Sequence, residues 1–235
     1  VEELLSRRPM IRNPREPELL ELPVRGDLEA RGLHIRYDGS EADTLNGLSF
    51  KIRSGELVAV VGPVGCGKTT LARALGRMVD VPEGQLFLDR HDLTRLRLTD
   101  LRDQIALVPQ EGYLFTSSLA DNLRYGEPEA SMERVEAAAE QARLLGDVRG
   151  FPDGMNTLVG ERGITLSGGQ RQRTALGRAL LVKSPVLVLD DALASVDNNT
   201  AAEILASVRR QTNRTIVMIS HCLLYTSPSP RDSIA

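Results

Sequence analysis

Gly62-Pro63-Val64-Gly65-Cys66-Gly67-Lys68-Thr69 fits the pattern G-x-x-x-x-G-K-[ST], a run able to hold a nucleoside triphosphate. A triphosphate presents several negative charges at close range. Backbone N–H groups compensate them without bulk, which is why glycine is needed at Gly62, Gly65 and Gly67. A helix starting at the end of the run would add its positive dipole end. Lys68 would then reach the β- and γ-phosphates, and the Thr69 hydroxyl would ligate Mg²⁺. Pro63, Val64, Cys66 and Thr70 complete the expected ATP cradle. A plain glycine-rich turn is the alternative, and the position of the run between a strand and a helix argues against it.

Three further groups have types that suit phosphate chemistry. Asp190 ends the apolar run Val186-Leu187-Val188-Leu189, where a carboxylate can hold the hydration shell of a magnesium ion; the plainer role is a cap for the next segment. Leu166-Ser167-Gly168-Gly169-Gln170 offers a hydroxyl and two glycines that let the backbone approach a phosphate. Gln170-Arg171-Gln172-Arg173 continues it as a helix whose N-terminus would point at that phosphate. Gln110 follows Val108-Pro109 at a strand end, and by itself is an ordinary loop amide.

The elements that must position these residues can be read from period and punctuation. Strands are expected at 28–37, 48–52 and 57–61, the last two separated by the turn Ser54-Gly55. A helix should run from Lys68 to about Leu75 and stop at Gly76. Short strands at 85–88 and 106–108 flank a helix starting near Thr99. From Glu111 to Lys183 the pattern is helical, with Ser131 capping an alanine-rich helix to about Leu145 and another helix running from the glycine pair to about Val182. Residues 186–189 read as a strand buried on both faces. A helix at 199–209 and a β-branched strand at 215–219 follow.

Composition narrows the class. The chain has 235 residues, enough for one large domain or two lobes. With 41% hydrophobic and 26% charged residues it reads as an ordinary soluble globular chain. A net charge of −3 gives no nucleic-acid footprint, so no nucleic-acid partner is expected. The lysines are Lys51, Lys68 and Lys183, so the loop holds one of a scarce residue type. The cysteines are Cys66 and Cys222; the first sits in the loop, so no disulfide framework is implied and a reducing cytosol fits. No apolar run approaches the ~20 residues of a membrane span. The first residue is Val1, and the tail 222–235 has no apolar periodicity. That tail is expected to be disordered or artefactual, since 222–232 resembles translated adapter sequence.

Together, the phosphate loop and Leu166-Ser167-Gly168-Gly169-Gln170 resemble the ATP-binding domain of ABC transporters, and the resemblance runs from Leu28 to His221. It implies an α/β fold: a P-loop NTPase (RecA-like) core with an N-terminal antiparallel β subdomain and an inserted α-helical signature subdomain at about 111–183. Residues 27–221 would be the ATP-binding domain, and 1–26 a linker from a transmembrane domain that this chain lacks. The resemblance also implies roles. Gln110 would touch the metal and sense the γ-phosphate, and His221 after the last strand would contact the γ-phosphate. Tyr37 would stack on adenine, although alone it reads as a core tyrosine. The signature Leu166–Gln170 would reach ATP on a second subunit, and Asp197 would bridge the subunits. Leu158-Val159-Gly160-Glu161-Arg162-Gly163 matches exporters, with Glu161 touching membrane-domain loops. Tyr113-Leu114-Phe115 stands where those loops dock; alone it reads as core. The implied activity is ATP hydrolysis driving export of drugs or lipids from the cytoplasmic face of the cell membrane. A soluble ABC ATPase and a largely regulatory ATP-binding module are the alternatives.

One residue departs from the family. Members place glutamate after the strand-end aspartate, to polarise the attacking water, whereas here the pair is Asp190-Asp191. Aspartate withdraws its carboxylate by roughly 1.5 Å, and even ~1 Å of misplacement can cost about 10²-fold in rate. Asp191-Ala192-Leu193-Ala194-Ser195-Val196-Asp197 resembles one half of asymmetric bacterial multidrug exporters. The expectation is a slow-site subunit paired with a glutamate-bearing partner; the alternative is a homodimer with a slow but working aspartate.

Overall fold

The computed structural model describes residues 9–160, 164–211 and 213–220. Alternation in β1 (Leu28–Ile35) buries Leu28, Ala30, Leu33 and Ile35. That set skips a residue between Ala30 and Leu33, where the register shifts and Gly32 takes φ 55, so a bulge keeps the apolar side chains on one face. β2 (Leu45–Ile52) and β4 (Leu86–Leu88) flank β1 antiparallel, and β5 (His91–Asp92) forms the other edge, in the order β2-β1-β4-β5. β2 begins three residues earlier than its sequence pattern suggested, carried by pairing of Leu45 with Ile35.

The second sheet is parallel. It comprises β3 (Leu57–Val61), β6 (Ile105–Val108), β9 (Val186–Asp190) and β10 (Thr215–Ser220) in the order β3-β10-β9-β6. β9 and β10 are buried along their whole length, as an apolar run covered on both faces should be. Their side chains alternate between two cores. Val186, Val188, Val217 and Ile219 join the antiparallel sheet and α1 (Lys68–Leu75). Leu187, Leu189, Ile216 and Met218 join the helices of the opposite face.

Parallel neighbours need crossovers, and the one from β6 to β9 is the helical region. It follows α2 (Leu98–Gln104) and contains α3 (Leu119–Arg124), α4 (Met132–Gln141), α5 (Leu145–Val148) and α6 (Gly168–Leu181). A short ribbon of β7 (Ser117–Ser118) and β8 (Leu158–Val159), absent from the sequence reading, lies within it. The return from β9 to β10 is α7 (Asn198–Gln211), which buries Ala201, Ile204, Leu205 and Val208 at helical spacing.

Two helices close on left-handed arginines, and one of them ends short of expectation. α4 was expected to reach Leu145, yet it stops at Gln141 because Arg143 turns left-handed (φ 54) and Leu144 N–H bonds back to Ala139 O at 2.8 Å. Leu144 is thereby driven into the core. α1 does end at Gly76, but the left-handed residue is Arg77 (φ 44), with Met78 N–H bonded to Arg73 O. Neither arginine advertises such a turn.

Residues 9–26, expected as a linker, lie against the antiparallel sheet. Asn13 Oδ1 accepts from Leu98 N–H at 2.8 Å, and Glu18 N–H donates to Arg95 O at 2.9 Å. The Asp89 carboxylate accepts from the N–H groups of Arg25, Gly26 and Asp27. Tails 1–8 and 221–235 lie outside the described residues, which includes His221; so does Glu161.

Candidate functional site

In a parallel sheet every strand points the same way, so the residues after β3, β6, β9 and β10 gather at one edge. Register fixes how closely: Val61 pairs with Ser220, Asp190 with Ile219, and Val108 with Leu189. The phosphate loop, Asp190-Asp191 and Gln110 therefore share a rim, and β10 delivers the chain to the same rim just before position 221.

The loop is shaped by Gly67. It caps α1 at φ 94, and a Cβ there would sit 2.6 Å from Thr44 O and 2.7 Å from Leu45 Cδ2, so neither conformation nor space admits another residue. Lys68 is buried, and its ammonium donates to Gly62 O and Pro63 O at 2.8 Å each. It is thus held across the loop, beside Cys66 Sγ at 3.9 Å. Val64 and Cys66 are exposed at the loop tip.

Thr69 Oγ1 donates to Asp190 Oδ1 at 3.1 Å, from the first turn of α1 to the end of β9. Thr70, next along the helix, exchanges a hydrogen bond of 3.2 Å with the Tyr37 hydroxyl. Tyr37 lies two residues past β1 rather than at its end, in a turn closed by Ser40 N–H on Tyr37 O. Its ring is partly exposed beside the loop helix, so it is no core tyrosine. Asp191 is nearly buried, takes φ 50, and donates its N–H to Ile219 O at 3.0 Å.

The signature forms a separate surface. Leu166 is buried, which anchors the segment, while Ser167 is exposed. Ser167 caps α6: its Oγ accepts from Gln170 N–H, and Gln170 Oε1 accepts from Ser167 N–H. Gln170 Nε2 in turn donates to Asp147 Oδ1 at 2.9 Å. Ser167, Gly168 and Gly169 line a cleft of about 460 Å³ together with Ser195, Asp197 and Thr200. Asp197 does a local job there: its Oδ1 accepts from Thr200 N–H at 3.0 Å, at the start of α7. Those Thr200 hydrogen bonds hold its carboxyl below the usual carboxylate range.

Tyr113 and Phe115 are exposed rather than core. They form an edge-to-face pair at 5.1 Å, and Phe115 stacks on exposed Tyr125 at 4.4 Å. Arg178 lies under this cluster, donating to Asn122 O and Tyr113 O, and burial pushes its guanidinium pKa down.

Sequence reasoning passed over Gln172. Its amide joins the signature helix to the backbones of Gln110, Asp191 and Ser195. The available signal was a glutamine at the apolar-face register of α6, in step with Ala175, Leu176 and Ala179.

A sequence profile described as "ABC transporter" matches residues 45–194. The chain is 44% identical over 200 residues, or 84% of its length, to the "ATP-dependent lipid A-core flippase" of Photorhabdus laumondii subsp. laumondii, and covers 34% of that protein. It is 38% identical over 202 residues to the "Multidrug resistance-like ATP-binding protein MdlA" of Buchnera aphidicola subsp. Baizongia pistaciae, covering 85% of this chain and 35% of that one. The chain thus spans about a third of the length of these relatives. Its fold superposes on a solved chain from the "Structure of a bacterial Atm1-family ABC exporter with ATP bound" with a TM-score of 0.86 and 35% identity, over 94% of this chain and 38% of that one.

Proposed function

The chain belongs to the ABC transporter family, and from that membership we propose that it is the ATP-binding and hydrolysing motor domain of an exporter half-transporter. In this reading it works at the cytoplasmic face of a membrane, beneath a transmembrane domain, and powers export of drugs or lipids. The names of its relatives support the cargo class. The observation that carries the reading is the meeting of Lys68, Thr69, Asp190, Asp191 and Gln110 at one rim of the parallel sheet.

ATP would lie with its phosphates against the loop 62–67 and its adenine near Tyr37. Lys68 would exchange its two carbonyl partners for β- and γ-phosphate oxygens. Thr69 Oγ1 and Asp190 Oδ1 are neighbouring hard oxygens, a donor set suited to Mg²⁺ bound together with phosphate and water. Bound Mg²⁺ would supply charge neutralisation at the β- and γ-phosphates. Asp191 would orient the attacking water, with Gln110 and His221 reporting on the γ-phosphate. The signature, on its own cleft, would grip ATP held by a second subunit, near Asp197.

Asp191 in place of glutamate supports a slow own site paired with a glutamate-bearing partner subunit. It also favours a second reading, a largely regulatory ATP-binding module. Titrating the chain with ATP and Mg²⁺ by calorimetry tests the common core of both. Lys68→Ala should weaken binding roughly 10–100-fold, the scale of losing charge-assisted hydrogen bonds. Equal binding by both proteins would sink the proposal.

A further inference from the structure

Gln172 is a polar side chain on the apolar face of α6. It is 7% exposed, and its helical neighbours Ala175, Leu176 and Ala179 are buried. A buried amide is costly unless its donors and acceptor are met, so such a residue is placed where its bonds matter. Here they reach three backbone positions on two loops, one at Gln110 and one spanning Asp191 to Ser195. Nε2 lies 3.4 Å from Asp191 O and 3.4 Å from Gln110 O. Oε1 accepts from Ser195 N–H at 2.8 Å.

Each position bears on a different part of the site. Asp191 sits at φ 50, a conformation that non-glycine residues rarely adopt, and must be held there. Its N–H is fixed by Ile219 O, and its carbonyl by Ala194 N–H and Gln172. Gln110 is exposed on the rim, and its backbone meets the same amide. Ser195 supports the signature from below: a Cβ on Gly169 would lie 2.8 Å from Ser195 O, and one on Gly168 would lie 3.3 Å from its side chain. The helix that presents the signature is thereby fastened through one side chain to the two loops that face the phosphate rim.

We propose that Gln172 is a positioning residue. It sets the signature cleft and the Asp191–Gln110 rim against a common frame, so that the two nucleotide-facing surfaces of one chain keep a fixed relation. The proposal rests on the reading of those surfaces as ATP-handling. It assigns Gln172 no contact with nucleotide.

The test compares Gln172→Leu and Gln172→Glu in the assembled protein, with ATP affinity, kcat, KM and thermal unfolding measured on each. Leucine removes all three bonds. Glutamate keeps the acceptor for Ser195 but sets a carboxylate against two carbonyl oxygens. We expect ATP affinity to stay within about twofold while kcat falls about 10²-fold, the scale of a ~1 Å misplacement. For the glutamate variant, kcat should recover in part as pH is lowered, because the protonated carboxyl regains a donor. A merely structural residue would lose binding and turnover together with the folded fraction, without that recovery. Unchanged kcat in both variants, or parallel loss of binding and turnover, would overturn the proposal. If the leucine variant does not fold, the pH profile of the glutamate variant decides alone. Lys68→Ala separates the two claims. Full ATP binding by that variant would refute the ATP-site reading itself, whereas lost binding there with normal turnover in the Gln172 variants would refute only the positioning role.

Discussion

Thr69 Oγ1 and Asp190 Oδ1 lie 3.1 Å apart although 121 positions separate them in the chain. The contact exists because β3 and β9 flank β10 in parallel register, so the loop after one strand and the last residue of the other arrive at the same level. A hydroxyl and a carboxylate brought together this way are a donor pair suited to Mg²⁺ bound together with phosphate and water, as proposed above.

Replacing Asp190 with asparagine keeps the shape and removes the charge. For the native chain, Mg²⁺ should tighten ATP binding. For Asp190→Asn, affinities with and without Mg²⁺ should agree within about twofold, as read by titration calorimetry. A magnesium effect of native size in the variant would remove Asp190 from the metal site.

Gly67→Ala should damage both fold and binding. The new Cβ would meet Thr44 O at 2.6 Å in a backbone conformation of φ 94. Strain of this kind costs of order 1–3 kcal/mol. Urea denaturation should show a lower midpoint, and ATP binding should weaken more than tenfold. A variant of native stability would mean that the loop accommodates a side chain after all.

Cys66 is exposed at the loop tip, with Sγ 3.9 Å from Lys68 Nζ. Alkylation there should block nucleotide binding, and ATP should slow the alkylation, as followed by mass spectrometry. Equal labelling rates with and without ATP would place the nucleotide elsewhere.

Asp197 carries a pH dependence of defined sign. Its folded pKa is depressed by hydrogen bonds from Thr200. Its contribution is therefore present above the unfolded carboxylate's pKa and fades as pH falls through the lower, folded value. Asparagine caps a helix comparably and does not titrate. The stability difference between the native chain and Asp197→Asn should shift against the native chain as pH is lowered through that window. Denaturation midpoints that move in parallel for both would contradict the assignment.

Much of the candidate site was legible because phosphate chemistry would demand particular residue types at fixed spacing. The placement of Gly67 and Lys68 between a strand and a helix can be read without a structure. The buried strands 186–189 and 215–219 were equally plain, because continuous apolar runs of that length have few other uses. What escaped was set by tertiary contact. Arg143 and Arg77 end helices in left-handed turns that arginine does not announce; the burial of Leu144 shows what drives the first. The ribbon of Ser117–Ser118 with Leu158–Val159 joins residues too distant and too few for a periodic signal. Tyr113 and Phe115 looked like core by type, yet they stack in the open with Tyr125. Gln172 was hidden because a single polar residue in an apolar stripe states that it has partners, and not which ones.

In the proposed assembly this chain's signature serves a nucleotide held by a partner, while its own Asp191 site turns over slowly. Hydrolysis by the assembled transporter tests this directly, with Ser167→Asp and Asp191→Asn each placed in this chain. Aspartate preserves the cap of α6 but sets a negative charge where a phosphate should dock. Loss of turnover by about 10²-fold with Ser167→Asp, and a change under about twofold with Asp191→Asn, is the predicted result. Native turnover with Ser167→Asp, or abolition by Asp191→Asn, would contradict the account.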